Sequence, residues 1–439
     1  MDRRALTTLL EWKSDPNRKP LVVRGARQVG KTWLLKEFGR RTFDTTVYVN
    51  CERDASVRSI FDGDLDPSRI LRALSIATRT TITEASTLIV IDEVHDAPRA
   101  LTALKYFAEE QPDLHIAVAG SLLGVALRSD QSFPVGKVDF LDLQPLDFSE
   151  FLRGIGEEHL DAALSSLDWS LIAPFAERLT ELLRQYLFIG GMPEAVHRFS
   201  HGAPLSEVRS IQRSIITGYV QDFAKYANAT TSRRITEVWA SIPGQLAKEN
   251  ARFILGHVRQ GARAREFDSA IQWLSDAGLI RKVSRFTKPG HPVRSYEDPS
   301  IFKLYLLDVG LLGAMADLDA SVVVHGTGIF EEFKGALTEQ YVLQQILATR
   351  TTLPMYWKPA SGSAEVDFAI EAHGALIPIE VKAAANLKSK SLQSYVNQFE
   401  PEAAWRFSLA DYREQSALTN IPLYGIVAFL TGAVTPRGH

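Results

Sequence analysis

The sequence predicts a multidomain α/β chain: a parallel-sheet module over residues 1–155, a helical middle over 156–320 and a separate α+β domain over 321–439. Three observations lead there. Short, continuously apolar runs alternate with helical stretches in the first third, helical spacing replaces them in the middle, and strand-like runs return after a long helix near the C-terminus. The 439 residues suit about two to four domains. With 45% apolar and 23% charged residues, the composition is that of ordinary globular domains and excludes a disordered scaffold.

The first module rests on Leu21-Val-Val, Thr46–Asn50, Thr87–Asp92 and His115–Ala119. Crossover helices cover both faces of a parallel sheet, so its strands read as unbroken apolar runs. Over 156–230 the pattern predicts a helical lid or connector, interrupted by Ile189-Gly-Gly-Met-Pro-Glu-Ala-Val196. Over 231–320 it predicts three helices and a short strand. Trp273–Phe286, a helix closing on Ala-Gly and entering a basic strand, has the form of a winged helix-turn-helix. Trp273 and Leu274 are expected in its core. Over 321–439 a helix spanning 330–348 precedes strands around Tyr356, Asp367, Glu380 and Trp405.

Gly25-Ala26-Arg27-Gln28-Val29-Gly30-Lys31-Thr32 matches G-x-x-x-x-G-K-[ST] between an apolar run and a helical stretch. A phosphate-binding loop needs that position, because free N–H groups and the positive helix end there cradle the β-phosphate. Lys31 then reaches the β/γ oxygens of ATP and the Thr32 hydroxyl ligates Mg²⁺. Leu88–Asp92 is a buried-strand run ending in Asp92-Glu93. Asp92 is placed to hold the metal's water shell and Glu93 to orient the attacking water, although such a strand end is also met as a solvated loop. Ser121, after the run His115–Ala119, reads equally as a γ-phosphate sensor or as a helix N-cap. Asp92-Glu-Val-His95 also spells a helicase D-E-x-H, a reading set aside because no second Arg-rich nucleotide lobe follows.

With these motifs the chain resembles the AAA-type P-loop ATPases, in particular bacterial and archaeal ATP-binding proteins with an uncharacterised C-terminal domain. The resemblance extends through Pro134–Phe151 and Ile189–Glu194. Gly136-Lys137 stands where such proteins often have Gly-Arg, so the resemblance supplies no arginine finger there, and Lys is not its equivalent. Arg128 is the substitute considered.

Glu365-Val-Asp367-Phe-Ala-Ile-Glu-Ala-His373-Gly374-Ala-Leu-Ile-Pro-Ile-Glu380-Val-Lys382 reads as a hairpin. With His373-Gly374 as its turn, Asp367 faces Glu380 and Glu365 faces Lys382. Val366, Phe368, Ile370, Ile377, Ile379 and Val381 point inward and the charged groups share the other face. Opposed carboxylates call for a cation such as Mg²⁺ between them, and Lys382 is placed to act on the attacking water. Pro378 lacks an N–H and belongs on an edge or bulge. The arrangement is similar to the PD-(D/E)xK phosphodiesterases of restriction-endonuclease-like fold. That resemblance implies a further acid from the preceding helix, matched by Glu339, and metal-dependent cleavage by Glu339, Asp367, Glu380 and Lys382.

The whole chain carries 49 Lys+Arg against 52 Asp+Glu, net −3, so a nucleic-acid surface has to be local. Residues 251–290 hold eight basic residues (Arg252, Arg259, Arg263, Arg265, Arg281, Lys282, Arg285, Lys288) against three acids, a phosphate-contacting pattern with DNA the favoured partner. One cysteine, Cys51, no signal-peptide core at the N-terminus and no apolar run of about 18 residues predict a cytoplasmic protein without a membrane partner; a homo-oligomer is left open. Two functions compete. One is ATP-fuelled DNA processing with a metal-dependent nuclease domain. The other is a non-nucleolytic switch in which ATP presents the winged helix and C-terminal domain to a partner.

Overall fold

The computed structural model describes residues 2–120, 136–248, 251–321, 331–350, 352–372, 374–384, 389–415 and 417–434. They form two compact units: residues 2–144 with Asp276–Gly278, and residues 145–275 with 279 onward.

The first unit is built on a five-stranded sheet of β1 (Leu21–Arg24), β2 (Thr45–Asn50), β3 (Thr87–Asp92), β4 (His115–Ala119) and β5 (Asp139–Asp142), ordered β2-β3-β4-β1-β5 with every pairing parallel. Its apolar runs are buried as their composition requires: Val22, Leu88, Val90 and Val118 have no exposed surface. β5 had no strand signal in the sequence. It is a short edge strand whose residues alternate between partly buried and exposed, too brief for a clear period. Helix α1 (Lys31–Thr42) follows β1 and buries Leu34, Leu35 and Phe38.

The second unit opens with helices, including α2 (Ala176–Ile189), α3 (Pro193–Ser200) and α4 (Leu205–Tyr226). The Gly190-Gly191 break between α2 and α3 is a packed joint. Gly191 donates its N–H to Asp308 (2.6 Å), and its carbonyl accepts from the Leu146 N–H (2.7 Å). Helices α5 (Ala229–Leu246), α6 (Leu255–Val258) and α7 (Ala264–Asp276) then lead into β6 (Ile280–Phe286), in the expected order. Trp273 and Leu274 lie in the core, with Trp273 edge-on to Phe223.

Beyond β6 the structure departs from the expected boundary at 320/321. β6 and its antiparallel partner β7 (Glu297–Leu306) belong to one eight-stranded sheet with β8 (Met355–Trp357), β9 (Val366–Ala372), β10 (Ala375–Val381), β11 (Ala404–Ser408), β12 (Arg413–Gln415) and β13 (Leu418–Pro422). The order is β12-β13-β11-β10-β9-β8-β6-β7, joined by parallel pairing of Arg285 with Tyr356 and Phe286 with Trp357. An isolated wing hairpin would leave an edge open, and β8 covers it. Helices α8 (Val309–Met315), α9 (Glu331–Thr349) and α10 (Lys390–Phe399) complete what the site needs. Among the described residues no helix is long and apolar enough to cross a membrane.

Candidate functional site

At the end of β1 the chain turns through Gly25 (φ 146°), Gln28 (φ 67°) and Gly30 (φ 96°) into the first turn of α1. A Cβ on Gly25 would lie 2.5 Å from the Leu143 carbonyl oxygen, so glycine is required there. Lys31 is 7% exposed, and its ammonium donates to the carbonyls of Gly25 (2.9 Å) and Ala26 (2.8 Å). Burial pulls its pKa down to about 8 against the pull of Glu93 and Asp92. Asp92, at the end of β3, accepts from the Thr32 hydroxyl (2.6 Å) and the Tyr48 hydroxyl (2.9 Å) on one oxygen, and from the Glu93 N–H (3.0 Å) on the other. Thr32 and Asp92 thus come together although they belong to different elements, and a hydroxyl beside a carboxylate is a donor set suited to Mg²⁺. Glu93 sits at φ 49° with its carboxylate 3.4 Å from the His95 ring. Tyr48 was not singled out in the sequence; its place as last-but-two residue of the β2 run was the one available signal. Ser121 and Arg128 lie outside the described residues. Lys137 is at the surface in an ion pair with Glu109 (3.0 Å).

The second candidate site lies on β7, α9, β9 and β10. The hairpin register is the expected one, from Ala375 opposite Ala372 to Ile379 opposite Phe368; His373 of the turn lies outside the described residues. Pro378 does not shift it. β10 is an interior strand, but its ladder with β11 begins only at Ile379, so the missing N–H falls beside the start of that pairing. The six inward residues are buried. The charged face is partly closed, with α9 and α10 both packing on β10: Glu380 is 4% exposed, whereas Lys382 keeps a third of its side chain exposed.

Asp367 accepts from the Val381 N–H (2.7 Å), next to Glu380, and Lys382 pairs with Glu380 Oε1 (2.6 Å). The expected facing of Glu365 and Lys382 is not found. Glu365 precedes the first residue of β9 and pairs instead with Lys303 (2.8 Å) and Lys358 (2.9 Å). Glu339 of α9 accepts from the Tyr305 hydroxyl (2.7 Å) and pairs with Lys303 (3.3 Å). Burial, then Glu339 and Glu380, hold the Asp367 carboxyl well above the ordinary carboxylate range; burial raises Glu380 too, opposed by Lys382. Burial alone would lower Lys303, but Glu339, Glu365 and Asp367 leave its ammonium well above the usual lysine value. Among the described residues no three His, Cys, Asp or Glu side chains form a metal-holding group. What this face offers is a carboxylate pair, in which Glu380 Oε2 is buried with no hydrogen-bond partner. Lys303 and Tyr305 escaped the sequence reading because the 297–306 stretch was not recognised as a strand.

The basic stretch 251–290 is partly neutralised. Arg259 pairs with Glu266 (2.7 Å) and Glu237 (3.6 Å), Arg285 pairs with Asp298 (2.5 Å), and Lys282 lies over the Phe302 ring. Arg252, Arg263 and Arg265 remain exposed.

Residues 17–152 match the family model described as AAA domain. Residues 180–322 and 334–424 match two described as domains of unknown function, DUF8612 and DUF4143. No curated protein matches the chain. Similar solved structures include the Walker-type ATPase PABY2304 of Pyrococcus abyssi, 14% identical over 72% of this chain and 95% of that one (TM-score 0.45). The Aeropyrum pernix Orc1 protein in complex with DNA is 14% identical over 71% and 91% (TM-score 0.28). A signal transduction ATPase with numerous domains and a tetratricopeptide repeat sensor, PH0952 from Pyrococcus horikoshii, is 12% identical over 80% and 48% (TM-score 0.25). The chain therefore carries a P-loop ATPase domain of the AAA type over residues 17–152, followed by two domains of unknown function.

Proposed function

We propose that the chain hydrolyses ATP in its AAA domain and couples nucleotide state to DNA binding and to metal-dependent phosphodiester cleavage in a restriction-endonuclease-like C-terminal domain, acting in the cytoplasm. The observation that carries the ATPase reading is the meeting of Thr32 with Asp92 at the mouth of a glycine loop that holds Lys31. The N–H groups of Gly25–Gly30 and the α1 N-terminus cradle the phosphates, Lys31 leaves its two carbonyls for the β/γ oxygens, and Glu93 orients the water. Mg²⁺, when bound through Thr32 and Asp92, supplies charge neutralisation of the β/γ-phosphates. With Lys137 engaged by Glu109, an arginine for the γ-phosphate has to come from elsewhere, Arg128 or a second copy of the chain.

In the C-terminal site Asp367 and Glu380 would hold a divalent cation, which supplies Lewis-acid activation of a phosphodiester and its attacking water. Lys382 would orient that water, and the unmet Glu380 Oε2 is the observation favouring a cation there. The switch reading, without cleavage, is favoured by the ion pairs that occupy Arg259 and Arg285 in the DNA-contacting stretch. One experiment separates them: ATP turnover and plasmid cleavage measured together in Mg²⁺ or Mn²⁺, for wild type, Lys31→Ala and Asp367→Asn. Cleavage lost in Asp367→Asn with ATP turnover intact supports the enzyme; no cleavage by wild type under any condition selects the switch. Turnover unchanged in Lys31→Ala would sink the ATP-site assignment.

A further inference from the structure

The four carboxylates of the C-terminal site are served unequally. Glu339 and Glu365 share the Lys303 ammonium, at 3.3 and 2.8 Å, and each has a second partner, Tyr305 for Glu339 and Lys358 for Glu365. Asp367 has the Val381 N–H, and Glu380 has Lys382 on one oxygen and no hydrogen bond on the other, although that oxygen is buried and the buried Arg406 stands opposite Glu380 on β11. Lys303 is 1% exposed, so its charge is neither screened by water nor able to swing away. A buried ammonium between two carboxylates repels a metal ion at that place. A buried carboxylate pair with an unmet acceptor attracts one. Lys303 and Tyr305 stand two apart on β7 and therefore on one side of the strand, and both reach Glu339.

We infer that Lys303 is the fixed internal cation of this site and takes the place of a second metal ion, so that Asp367 and Glu380 bind a single divalent cation and Glu339 is a positioning residue rather than a ligand. The site is then completed by a strand from the middle region of the sequence. This inference rests on the metal reading of Asp367 and Glu380 proposed above.

The test is titration of the full-length, nucleotide-free chain with Mn²⁺ by calorimetry, with melting temperature as a second readout. Wild type should bind one Mn²⁺ more than Asp367→Asn. Lys303→Met should bind one more than wild type, because Glu339 and Glu365 lose the cation they share, and its melting temperature should rise more steeply with Mn²⁺. Should Lys303→Met fail to fold, Lys303→Met/Glu365→Gln, which removes both charges, should fold and keep the wild-type count. Equal counts and equal Mn²⁺ dependence in wild type and Lys303→Met, a wild type that loses two Mn²⁺ with Asp367→Asn, or a double variant that also fails to fold overturns the role of Lys303. A wild type that binds no more Mn²⁺ than Asp367→Asn overturns the metal reading itself, and the inference with it.

Discussion

Lys31 should make ATP affinity and protein stability respond to pH in opposite directions. Burial holds its ammonium at about 8 against an ordinary 10.5, and the phosphates of a bound nucleotide would restore the charged form. Binding then requires a proton that the free protein begins to lose above pH 8. At pH 9 about one chain in eleven keeps it, so the Kd for Mg·ATP should rise about fivefold between pH 8 and 9 and about tenfold between pH 7 and 9. The sign for folding is reversed. The unfolded chain holds the proton up to 10.5 whereas the folded chain releases it above about 8, so the nucleotide-free protein gains stability as pH rises through that window. The full gap corresponds to about 3 kcal/mol, a penalty that the folded protein carries below pH 8. A fluorescent ATP analogue titrated from pH 7 to 9.5, with Lys31→Met as the control, reads the first effect. The difference in urea midpoint between wild type and Lys31→Met over the same range reads the second. A flat wild-type Kd, or a stability difference that does not change with pH, would refute the argument.

Glu93→Gln should keep ATP affinity within about twofold and slow turnover by about a hundredfold, the usual scale for a lost acid–base group; single-turnover kinetics with labelled ATP checks it. Arg263→Ala with Arg265→Ala should flatten the salt dependence of DNA binding by about two units, at about one per lost phosphate contact. Adding Arg259→Ala should change the slope little, because Glu266 and Glu237 already hold that guanidinium; fluorescence anisotropy at several salt concentrations measures both. Gly191→Ala should destabilise the second unit by about 3 kcal/mol, since the new Cβ would lie 2.1 Å from the Leu146 carbonyl oxygen, and a melting temperature equal to wild type would contradict that packing.

The parts of the fold that were legible in the sequence were those fixed by local chemistry. The loop from Gly25 to Thr32 carries its own spacing and flanks, and the hairpin from Glu365 to Lys382 has its register set by a two-residue turn, which is why Ile379 was found opposite Phe368. What escaped depended on pairing between distant segments. Lys303 meets Glu339 and Glu365 only because β6 lies parallel to β8, and no periodicity within either segment encodes that choice. The cover over the charged face was not legible for a related reason. Alternation shows which residues share a face, but whether a helix covers that face is decided by the whole chain.

The β6–β8 pairing also bears on how the protein is made. β6 and β7 leave the ribosome well before Tyr356 and Trp357, so during synthesis the hairpin's open edge has no partner of its own. Parallel pairing across such a separation forms late, after a large loop has closed, and an uncovered edge is a route to aggregation in the interval. Cutting the chain between the two matched domains of unknown function would make that interval permanent for the first piece and strip the second of Lys303. The two segments are distinct as sequence families but should be inherited, expressed and unfolded as one cooperative body.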